Sequence, residues 1–184
     1  MGRRKQDHYG KQARKEGYPA RSVYKLEEIQ KRNPVLRKGA RVLDIGAAPG
    51  SWSMFAADKV KGGSVVSVDL KEFSLPNKYQ HVHIIQGDAF GEEIKKQLSS
   101  LAPFDVILSD AAPSTTGHKT VDTARSEALV EQCFDLAFDL LAPGGNLVVK
   151  LFQGGDEKKL IDYAKRFWKK VKPFKPSSSR KESF

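Results

Sequence analysis

The sequence predicts one α/β domain built on an open, doubly wound parallel sheet. Short apolar runs with the length of buried strands alternate with segments of helical spacing along the 184 residues. Three of these runs end in an aspartate or are closely followed by one, as expected where parallel strands end at a ligand-binding edge. No internal repeat and no long linker divides the chain. We therefore expect a basic N-terminal arm of residues 1–19 and a single domain of residues 20–184.

The N-terminal quarter of the chain is predicted to contain an irregular arm, a helix and a strand. Residues 1–19 are polar and contain glycine and proline breakers, so no regular element is expected there. Apolar residues recur at helical spacing over residues 21–32, and Asn33-Pro34 ends that helix. After a turn at Lys38-Gly39, the apolar run Arg41–Ile45 is the first predicted strand.

The remaining elements continue the same alternation of strands and helices. The later predicted strands are residues 64–69, 81–86, 104–109 and 146–152, with Lys150 late in the last of them. The later predicted helices are residues 51–60, 90–101, 123–141 and 156–168. Residues 114–120 form a polar loop, Pro143-Gly144-Gly145 forms a turn, and residues 171–175 form a further short strand.

A glycine-containing turn follows the first strand and leads into the next helix at Ser51-Trp52. A helix N-terminus attracts anionic groups, and glycines such as Gly46 and Gly50 let a ligand approach the backbone. The Gly-x-x-x-Gly spacing does not match the Gly-x-Gly-x-x-Gly dinucleotide fingerprint. A nucleoside with a carboxylate tail, such as S-adenosylmethionine (SAM), fits as well or better. Many α/β proteins also have such a turn for packing alone.

Three aspartates are predicted at the same edge of the sheet as the glycine turn. Asp69 lies about 20 residues beyond the turn, where a carboxylate can accept both ribose hydroxyls. From the strand order, Asp88 is placed to accept an adenine amino group, and Asp110 follows the fourth strand. Aspartate also closes strands simply as a turn residue. Together with the glycine turn, however, the series favours a nucleoside cofactor, and the turn spacing favours SAM over NAD.

Two kinds of SAM chemistry are disfavoured by the residues present. Methylation of a base at C5 requires a cysteine nucleophile near the ligand, whereas the single cysteine, Cys133, lies in the middle of a predicted helix. Methylation of an exocyclic amine usually uses an aromatic residue to stack a flipped base. The loop after the fourth strand, Asp110-Ala111-Ala112-Pro113, contains none. Methylation of an oxygen atom of the substrate is the chemistry that remains.

The charge distribution predicts a polyanionic partner. The net charge of +10 is concentrated at the two ends, because residues 1–25 hold eight Lys and Arg against two acids and residues 156–184 hold ten against four. Our candidates for contact with nucleic-acid phosphates are Lys11, Arg14, Arg21 and the basic run 169–181. A solvated, solubilising surface is the alternative reading.

The composition of the sequence bears on the cellular compartment of the protein and on whether it binds a metal. No apolar run approaches the ~20 residues of a membrane span. The basic first residues lead into no apolar core of a secretory signal, so we expect a cytoplasmic protein with no membrane partner. The four histidines lack metal-ligand spacing and a lone cysteine cannot form a zinc site, so no bound metal is expected.

Five ordered motifs resemble a known family. They are Ala20-Arg-Ser-Val-Tyr-Lys-Leu26, Asp44-Ile-Gly-Ala-Ala-Pro-Gly-Ser-Trp52, Ser109-Asp-Ala-Ala-Pro113, Leu141-Ala-Pro-Gly-Gly145 and Val149-Lys-Leu-Phe-Gln-Gly154. In this order, from about Tyr18 to Phe184, they resemble the FtsJ/RrmJ family of SAM-dependent ribose 2′-O-methyltransferases. The resemblance implies a Rossmann-like methyltransferase fold with a mostly parallel sheet.

The resemblance also implies roles for individual residues. The residues that it implies for SAM contact are Gly50, Trp52, Asp69, Asp88 and Asp110, and we add Gly46 from the same turn. The implied catalytic set is Lys-Asp-Lys-Glu, of which Lys25, Asp110 and Lys150 match the first three members. The fourth belongs to a Ser-Arg-x-x-Ser-x-Glu pattern that Ser179-Arg-Lys-Glu-Ser-Phe184 matches up to the position before its Glu. Glu182 lies at a variable position and is not assigned that role.

The chain is therefore expected to be truncated at its C-terminus relative to the family. The family's last strand, which is antiparallel and lies beside the fifth, is expected to be missing from this chain.

The chemistry of the two lysines can be read in two ways from the sequence. A ribose hydroxyl is a poor nucleophile at neutral pH, so its methylation requires proton removal or orientation of the hydroxyl. A lysine acts as a base if burial or a neighbouring cation lowers its pKa, and a lysine that stays protonated only steers the hydroxyl. A lysine within the apolar run around Lys150 interrupts a buried strand, and burying an unpaired charge is costly.

We therefore expect a monomeric SAM-dependent RNA (uridine-2′-O-)-methyltransferase. The resemblance points to large-subunit ribosomal RNA, at a uridine of the A-loop, as the substrate and partner. The alternatives are a SAM- or nucleotide-binding RNA module without catalysis and a 2′-O-methyltransferase that acts on tRNA. A small-molecule O-methyltransferase is disfavoured by the basic ends.

Overall fold

The computed structural model describes residues 8–179. The predictions for residues 1–7 and 180–184, including most of the Ser-Arg-x-x-Ser pattern with Glu182, lie outside that range. Its strands are β1 (Arg41–Ile45), β2 (Ser64–Asp69), β3 (His83–Gln86), β4 (Phe104–Ser109) and β5 (Leu141–Val149). Its helices are α1 (His8–Lys15), α2 (Val23–Arg32), α3 (Ser51–Lys59), α4 (Glu92–Leu101), α5 (Lys119–Leu140) and α6 (Glu157–Ala164). Over this range no helix combines the length and the apolar character that crossing a bilayer requires.

The strands form one parallel sheet in the order β3-β2-β1-β4-β5. The chain first winds outward from β1 to β3 and then returns to place β4 on the other side of β1. This reversal creates a crevice at the carboxyl ends of β1 and β4, which is where open α/β sheets bind ligands. The predicted doubly wound α/β fold is confirmed.

The side chains of each strand alternate between two helical layers. Val42 and Val65 belong to a core cluster that includes buried residues of α1, α2 and α3. Leu43 and Val66 belong to a second cluster that includes residues of α4 and α5. Because both faces are covered, the strands read as nearly continuous apolar runs, as parallel strands do. A smaller cluster joins α6 to α5.

The first structural difference from the sequence prediction is α1. The segment predicted to be irregular contains an eight-residue helix, and Ala13 of that helix is completely buried. Tyr9 also packs against the first core cluster, and its ring lies 5.5 Å from that of Tyr24. Ala13 and Tyr9 thus hold this short polar helix against the core. Two apolar residues are too few to give a helical periodicity in the sequence.

The C-terminal elements also differ from their predicted bounds. β5 begins at Leu141, directly after α5, and Pro143-Gly144-Gly145 forms a bulge opposite the register shift between Phe104 and Val106. The strand ends at Val149, so Lys150 follows it rather than lying within it. In the described part of the chain, residues 171–175 are not a strand and β5 pairs with β4 alone. An extended segment without a neighbouring strand has no ladder of hydrogen bonds.

Candidate active site

Two lysines meet at one carboxylate oxygen at the carboxyl edge of the sheet. Asp110 follows the last residue of β4, Lys150 follows the last residue of β5, and Lys25 comes from the first turn of α2. The Nζ atoms of Lys25 and Lys150 each lie 3.2 Å from Oδ1 of Asp110. Lys150 Nζ also donates a hydrogen bond to the main-chain oxygen of Asp110. The structure thus brings together three residues that are far apart in sequence.

Lys150 is fixed by main-chain as well as side-chain contacts. Its N–H donates to the carbonyl oxygen of Ser109 at 2.9 Å, which extends the β4–β5 hydrogen bonding one residue beyond the strand. Its ammonium group lies 6.0 Å from the centre of the Phe152 ring. These contacts aim the side chain back across the end of β4, toward Asp110.

The three side chains are shielded but not sealed from solvent. Their exposed fractions are 27% for Lys25, 17% for Asp110 and 22% for Lys150, so a substrate can still reach them. Burial lowers the pKa of Lys150, and the positive charge of Lys25 lowers it further, while Asp110 opposes both effects. The net pKa lies below the ordinary lysine value, which is the direction that a lysine base requires.

The position of Lys25 depends on hydrogen bonds between α3 and the segment before α2. Ser51, the first residue of α3, accepts a hydrogen bond from the Ala20 N–H at 2.8 Å and donates one to its carbonyl oxygen at 3.1 Å. The indole Nε1 of Trp52 donates to the Ser22 carbonyl oxygen at 2.8 Å. The glycine turn and the lysine-bearing helix are therefore held together directly.

Trp52 contributes its side chain to the core rather than to an open cleft. It is only 4% exposed and belongs to the first core cluster. Any contact of Trp52 with a cofactor would therefore use its main-chain N–H at the N-terminus of α3, where N–H groups have no partner within the helix. The hydrogen bond from the indole to Ser22 explains why a tryptophan suits this position without any contact of its side chain with a ligand.

The two glycines of the turn are required by their positive φ, and Gly46 is also required by close packing against Ala111. Gly46 has a φ of +71°, and a Cβ added there would lie 2.6 Å from the Cβ of Ala111. Gly50 has a φ of +104°, and an added Cβ would lie 2.2 Å from Cδ2 of Leu75. The atoms nearest to the added Cβ are protein atoms in both cases: Cβ and Cα of Ala111 at Gly46, and the end of the Leu75 side chain at Gly50. Gly46 lets the turn pack against the segment that carries Asp110.

Asp69 and Asp88 lie at the same edge of the sheet. Asp69 ends β2, where its Oδ2 accepts the Ala48 N–H of the glycine turn and its Oδ1 accepts the Lys71 N–H, both at 2.8 Å. Asp88 follows β3 and accepts the Phe90 N–H at 3.0 Å through Oδ1. A carboxylate has about four lone-pair positions, so both side chains retain acceptor capacity for hydroxyl or amino groups.

Asp44 is a buried acid whose charge interacts with those of Asp110 and Asp69, and no role is predicted for it from the sequence. It lies in β1 and is 1% exposed, and its Oδ2 accepts a 2.6 Å hydrogen bond from Ser53, whose Oγ in turn accepts one from Ser67 at 2.9 Å. Its Oδ1 is buried without a hydrogen-bond partner. Burial raises the pKa of Asp44 to about 7, and the charges of Asp110 and Asp69 add to this effect. The sequence does contain a signal for Asp44, because it is an acid within an otherwise apolar strand. A charged residue in a buried strand needs a partner, which is the argument made above for Lys150.

The candidate RNA-facing cations differ in their surroundings. Arg21 is half-buried, with its guanidinium 5.1 Å from the Tyr9 ring centre and its Nη2 donating to the Ser178 carbonyl oxygen at 2.6 Å. Lys11 and Arg14 are exposed on α1, which packs beside α2 through the first core cluster. The last two cations of the run 169–181 lie beyond the described residues.

Comparison with solved structures identifies the class of protein as a methyltransferase. A ribosomal RNA methyltransferase from Plasmodium falciparum superposes with a TM-score of 0.79 at 28% sequence identity, covering 88% of this chain and 93% of that one. The MycE methyltransferase of mycinamycin biosynthesis shares the fold alone, with a TM-score of 0.53 at 19% identity over 81% of this chain and 38% of that one.

Sequence comparison then gives the family. The model of the FtsJ-like methyltransferases matches residues 18–184, and the chain belongs to that family. It is 46% identical over 183 residues to the ribosomal RNA large subunit methyltransferase E of Desulfosudis oleivorans, covering 99% of this chain and 88% of the relative. It is 49% identical over 181 residues to the protein of the same name from Syntrophobacter fumaroxidans, covering 96% and 90%.

Proposed function

We propose that this methyltransferase transfers a methyl group from SAM to a ribose 2′-hydroxyl of RNA. The observation that carries the proposal is the pair of lysine ammonium groups that share one oxygen of Asp110 at the ligand-binding edge. The family membership and the names of the relatives favour large-subunit ribosomal RNA as the substrate. A uridine of the A-loop is the nucleotide expected from the resemblance. We further propose that the protein acts as a monomer in the cytoplasm.

The acidic residues of the edge fit a cationic nucleoside. SAM, when bound, supplies a methyl group activated by a sulfonium cation. Asp69 and Asp88 retain acceptor capacity for ribose hydroxyl and adenine amino groups. Leu70, which follows Asp69, is 71% exposed and offers an apolar surface for the base. The N-terminus of α3 favours a carboxylate.

Lys150 is our candidate for the group that removes the hydroxyl proton. A neutral lysine amine keeps two N–H groups and gains a lone pair, so both contacts to Asp110 can persist while the lone pair accepts a proton. The lowered pKa of Lys150 makes this neutral form more accessible than in an ordinary lysine. Lys25 stays within reach of the same carboxylate, where its N–H groups can hold the hydroxyl oxygen in line with the methyl group.

The positive charge around the site suits a polynucleotide. Two lysines converge on one aspartate, and the exposed cations of α1 lie on the helix that packs beside α2. Lysine and arginine contacts with phosphates release counterions, so we expect RNA binding to weaken steeply as salt rises. A small-molecule acceptor would not require this surface.

Radiolabelled methyl transfer tests the proposal. SAM labelled in its methyl group is supplied with large ribosomal subunits, with total RNA, with tRNA or with no RNA, using the wild type and Lys150→Ala. The proposal predicts label in large-subunit RNA that survives alkaline hydrolysis as a resistant dinucleotide, and its loss in the variant. Binding of both SAM and RNA without any transfer would contradict it, as would label that appears without RNA.

A further inference from the structure

The C-terminal part of the described chain lies along α2, the helix that carries Lys25. We call residues 172–178 the strap. Its contacts with the C-terminal end of α2 are a hydrogen bond from Lys172 Nζ to Asn33 Oδ1 and a cation–π contact of 5.1 Å between Arg32 and Phe174. Beyond these contacts, the strap runs back along the helix toward its N-terminus.

Glu28 holds the end of the strap through three hydrogen bonds. Its Oε2 accepts the N–H of Ser177 at 2.8 Å and the hydroxyl of Ser177 at 3.0 Å, and its Oε1 accepts the N–H of Ser178 at 3.0 Å. Burial works to raise the pKa of Glu28, but the hydrogen bonds from Ser178 and Ser177 outweigh it, so the pKa lies below its ordinary value. Glu28 is therefore ionised at neutral pH, and its bonds are charge-assisted.

The residues that hold the strap lie on either side of Lys25. Lys25 and Glu28 are spaced i and i+3 on α2, which places them on one face of that helix, and Arg21 lies two residues before its first residue. Arg21 binds the carbonyl oxygen of Ser178 at 2.6 Å, and Ser178 is 1% exposed. The end of the strap is thus enclosed beside the catalytic candidate Lys25.

The strap also contacts the element that carries the second lysine. Lys175 Nζ donates a 2.9 Å hydrogen bond to Oε1 of Gln153, which lies three residues after Lys150. One segment therefore connects α2 with the loop that follows β5. These are the two elements whose lysines converge on Asp110.

We propose that Glu28 is a positioning residue that closes the strap onto α2 and thereby sets the separation of Lys25 and Lys150 at Asp110. The catalytic consequence rests on the proposed function, whereas the closure of the strap does not. Glu28 itself touches neither lysine in these contacts, so its effect on the reaction is transmitted through α2 and the strap.

Glu28→Gln and the matched control Glu27→Gln test this proposal. Both variants remove one negative charge from adjacent positions of α2, but the ion pair of Glu27 is with Lys31, at 2.8 Å. Loss of the charge-assisted bonds predicts that amide hydrogen exchange of residues 172–179 becomes about tenfold faster or more in Glu28→Gln. The control should leave this exchange unchanged. Ser177→Ala, which removes only the hydroxyl donor, should give a smaller increase.

The pH dependence of methyl transfer separates positioning from simple stabilisation. The charged groups that face Lys150 Nζ are Asp110 and Lys25, with the ring of Phe152 beside them. If Glu28→Gln lets Lys25 move away, the rate should fall at neutral pH and its inflection should move to higher pH, with SAM affinity unchanged.

Two results would overturn the proposal. Unchanged exchange of the strap in Glu28→Gln would show that Glu28 does not close it. Faster exchange together with an unchanged rate and an unchanged inflection would show that the strap does not position the lysines. If the wild type methylates no RNA, the proposed function fails and the catalytic part of this inference fails with it, while the exchange experiment still decides whether Glu28 closes the strap.

Discussion

Replacing Lys25 with methionine should change the pH at which the enzyme becomes active. The Nζ atoms of Lys25 and Lys150 each lie 3.2 Å from the same oxygen, so they are at most about 6.4 Å apart. At that separation two unit charges repel each other by roughly 0.6–2.6 kcal/mol for effective dielectric constants of about 80 to 20. Removing Lys25 should therefore raise the pKa of Lys150 by about half a unit to two units.

The assay is single-turnover methyl transfer at saturating RNA and SAM across a range of pH. Because the base must be neutral, the rate rises with pH toward the pKa of Lys150. Lys25→Met should move this inflection upward and lower the rate at neutral pH by about 3-fold to 100-fold.

Lys31→Met is the matched control for this experiment. It removes the same charge from the same helix, at a side chain that is 71% exposed and paired only with Glu27 among the ion pairs described. It should leave the inflection in place. An unchanged inflection in Lys25→Met, with a rate lowered equally at every pH, would refute the argument that Lys25 tunes Lys150.

Two further predictions concern stability. The raised pKa of Asp44 means that the folded state holds this proton more tightly than the unfolded state, so the contribution of Asp44 to the free energy of unfolding should fall as pH rises from about 4 to 7. The free energy of unfolding of Asp44→Asn minus that of the wild type should increase by roughly 1 kcal/mol per pH unit across that window and stay constant above it. Urea unfolding at several pH values measures this difference, with Asp135→Asn on the exposed side of α5 as the control substitution. Gly46→Ala should lower the free energy of unfolding by about 2–4 kcal/mol. The new Cβ would clash with Ala111, and this clash adds to the cost of a positive φ in a residue other than glycine. Gly17→Ala, with a φ of +85° and no atom within 4 Å of the added Cβ, should lose only about 1–2 kcal/mol in the same urea measurement; equal losses would contradict the packing argument.

The sheet could be predicted from the sequence because its strands are buried on both faces. Each strand from β1 to β4 is a short apolar run ended by glycine or aspartate, and the alternation of these runs with helices predicts a parallel sheet. β5 was harder to delimit, because its first residues contain Pro143-Gly144-Gly145, which reads as a turn. The bulge opposite β4 accommodates these residues within the strand, and such tertiary pairing is invisible to local pattern.

The candidate site was predictable only in part from residue types. The acids at the strand ends and the lysine after β5 give local signals, since a charge beside an apolar run needs a partner. Lys25 gives none, because a lysine on a polar helix is ordinary, and only the resemblance pointed to it. The contacts of Glu28 with Ser177 and Ser178 join residues about 150 positions apart. No periodicity in the sequence encodes that pairing.

The position of the transferred methyl group on the nucleoside distinguishes ribose methylation from base methylation. Large-subunit RNA treated with the protein and SAM is digested completely to nucleosides, and mass spectrometry separates ribose-methylated from base-methylated products. If Lys150 removes the proton of a ribose hydroxyl, the methyl group should be found on the ribose 2′-oxygen in the wild type and be absent in Lys150→Ala. A methyl group on a base, or undiminished ribose methylation in Lys150→Ala, would contradict this prediction.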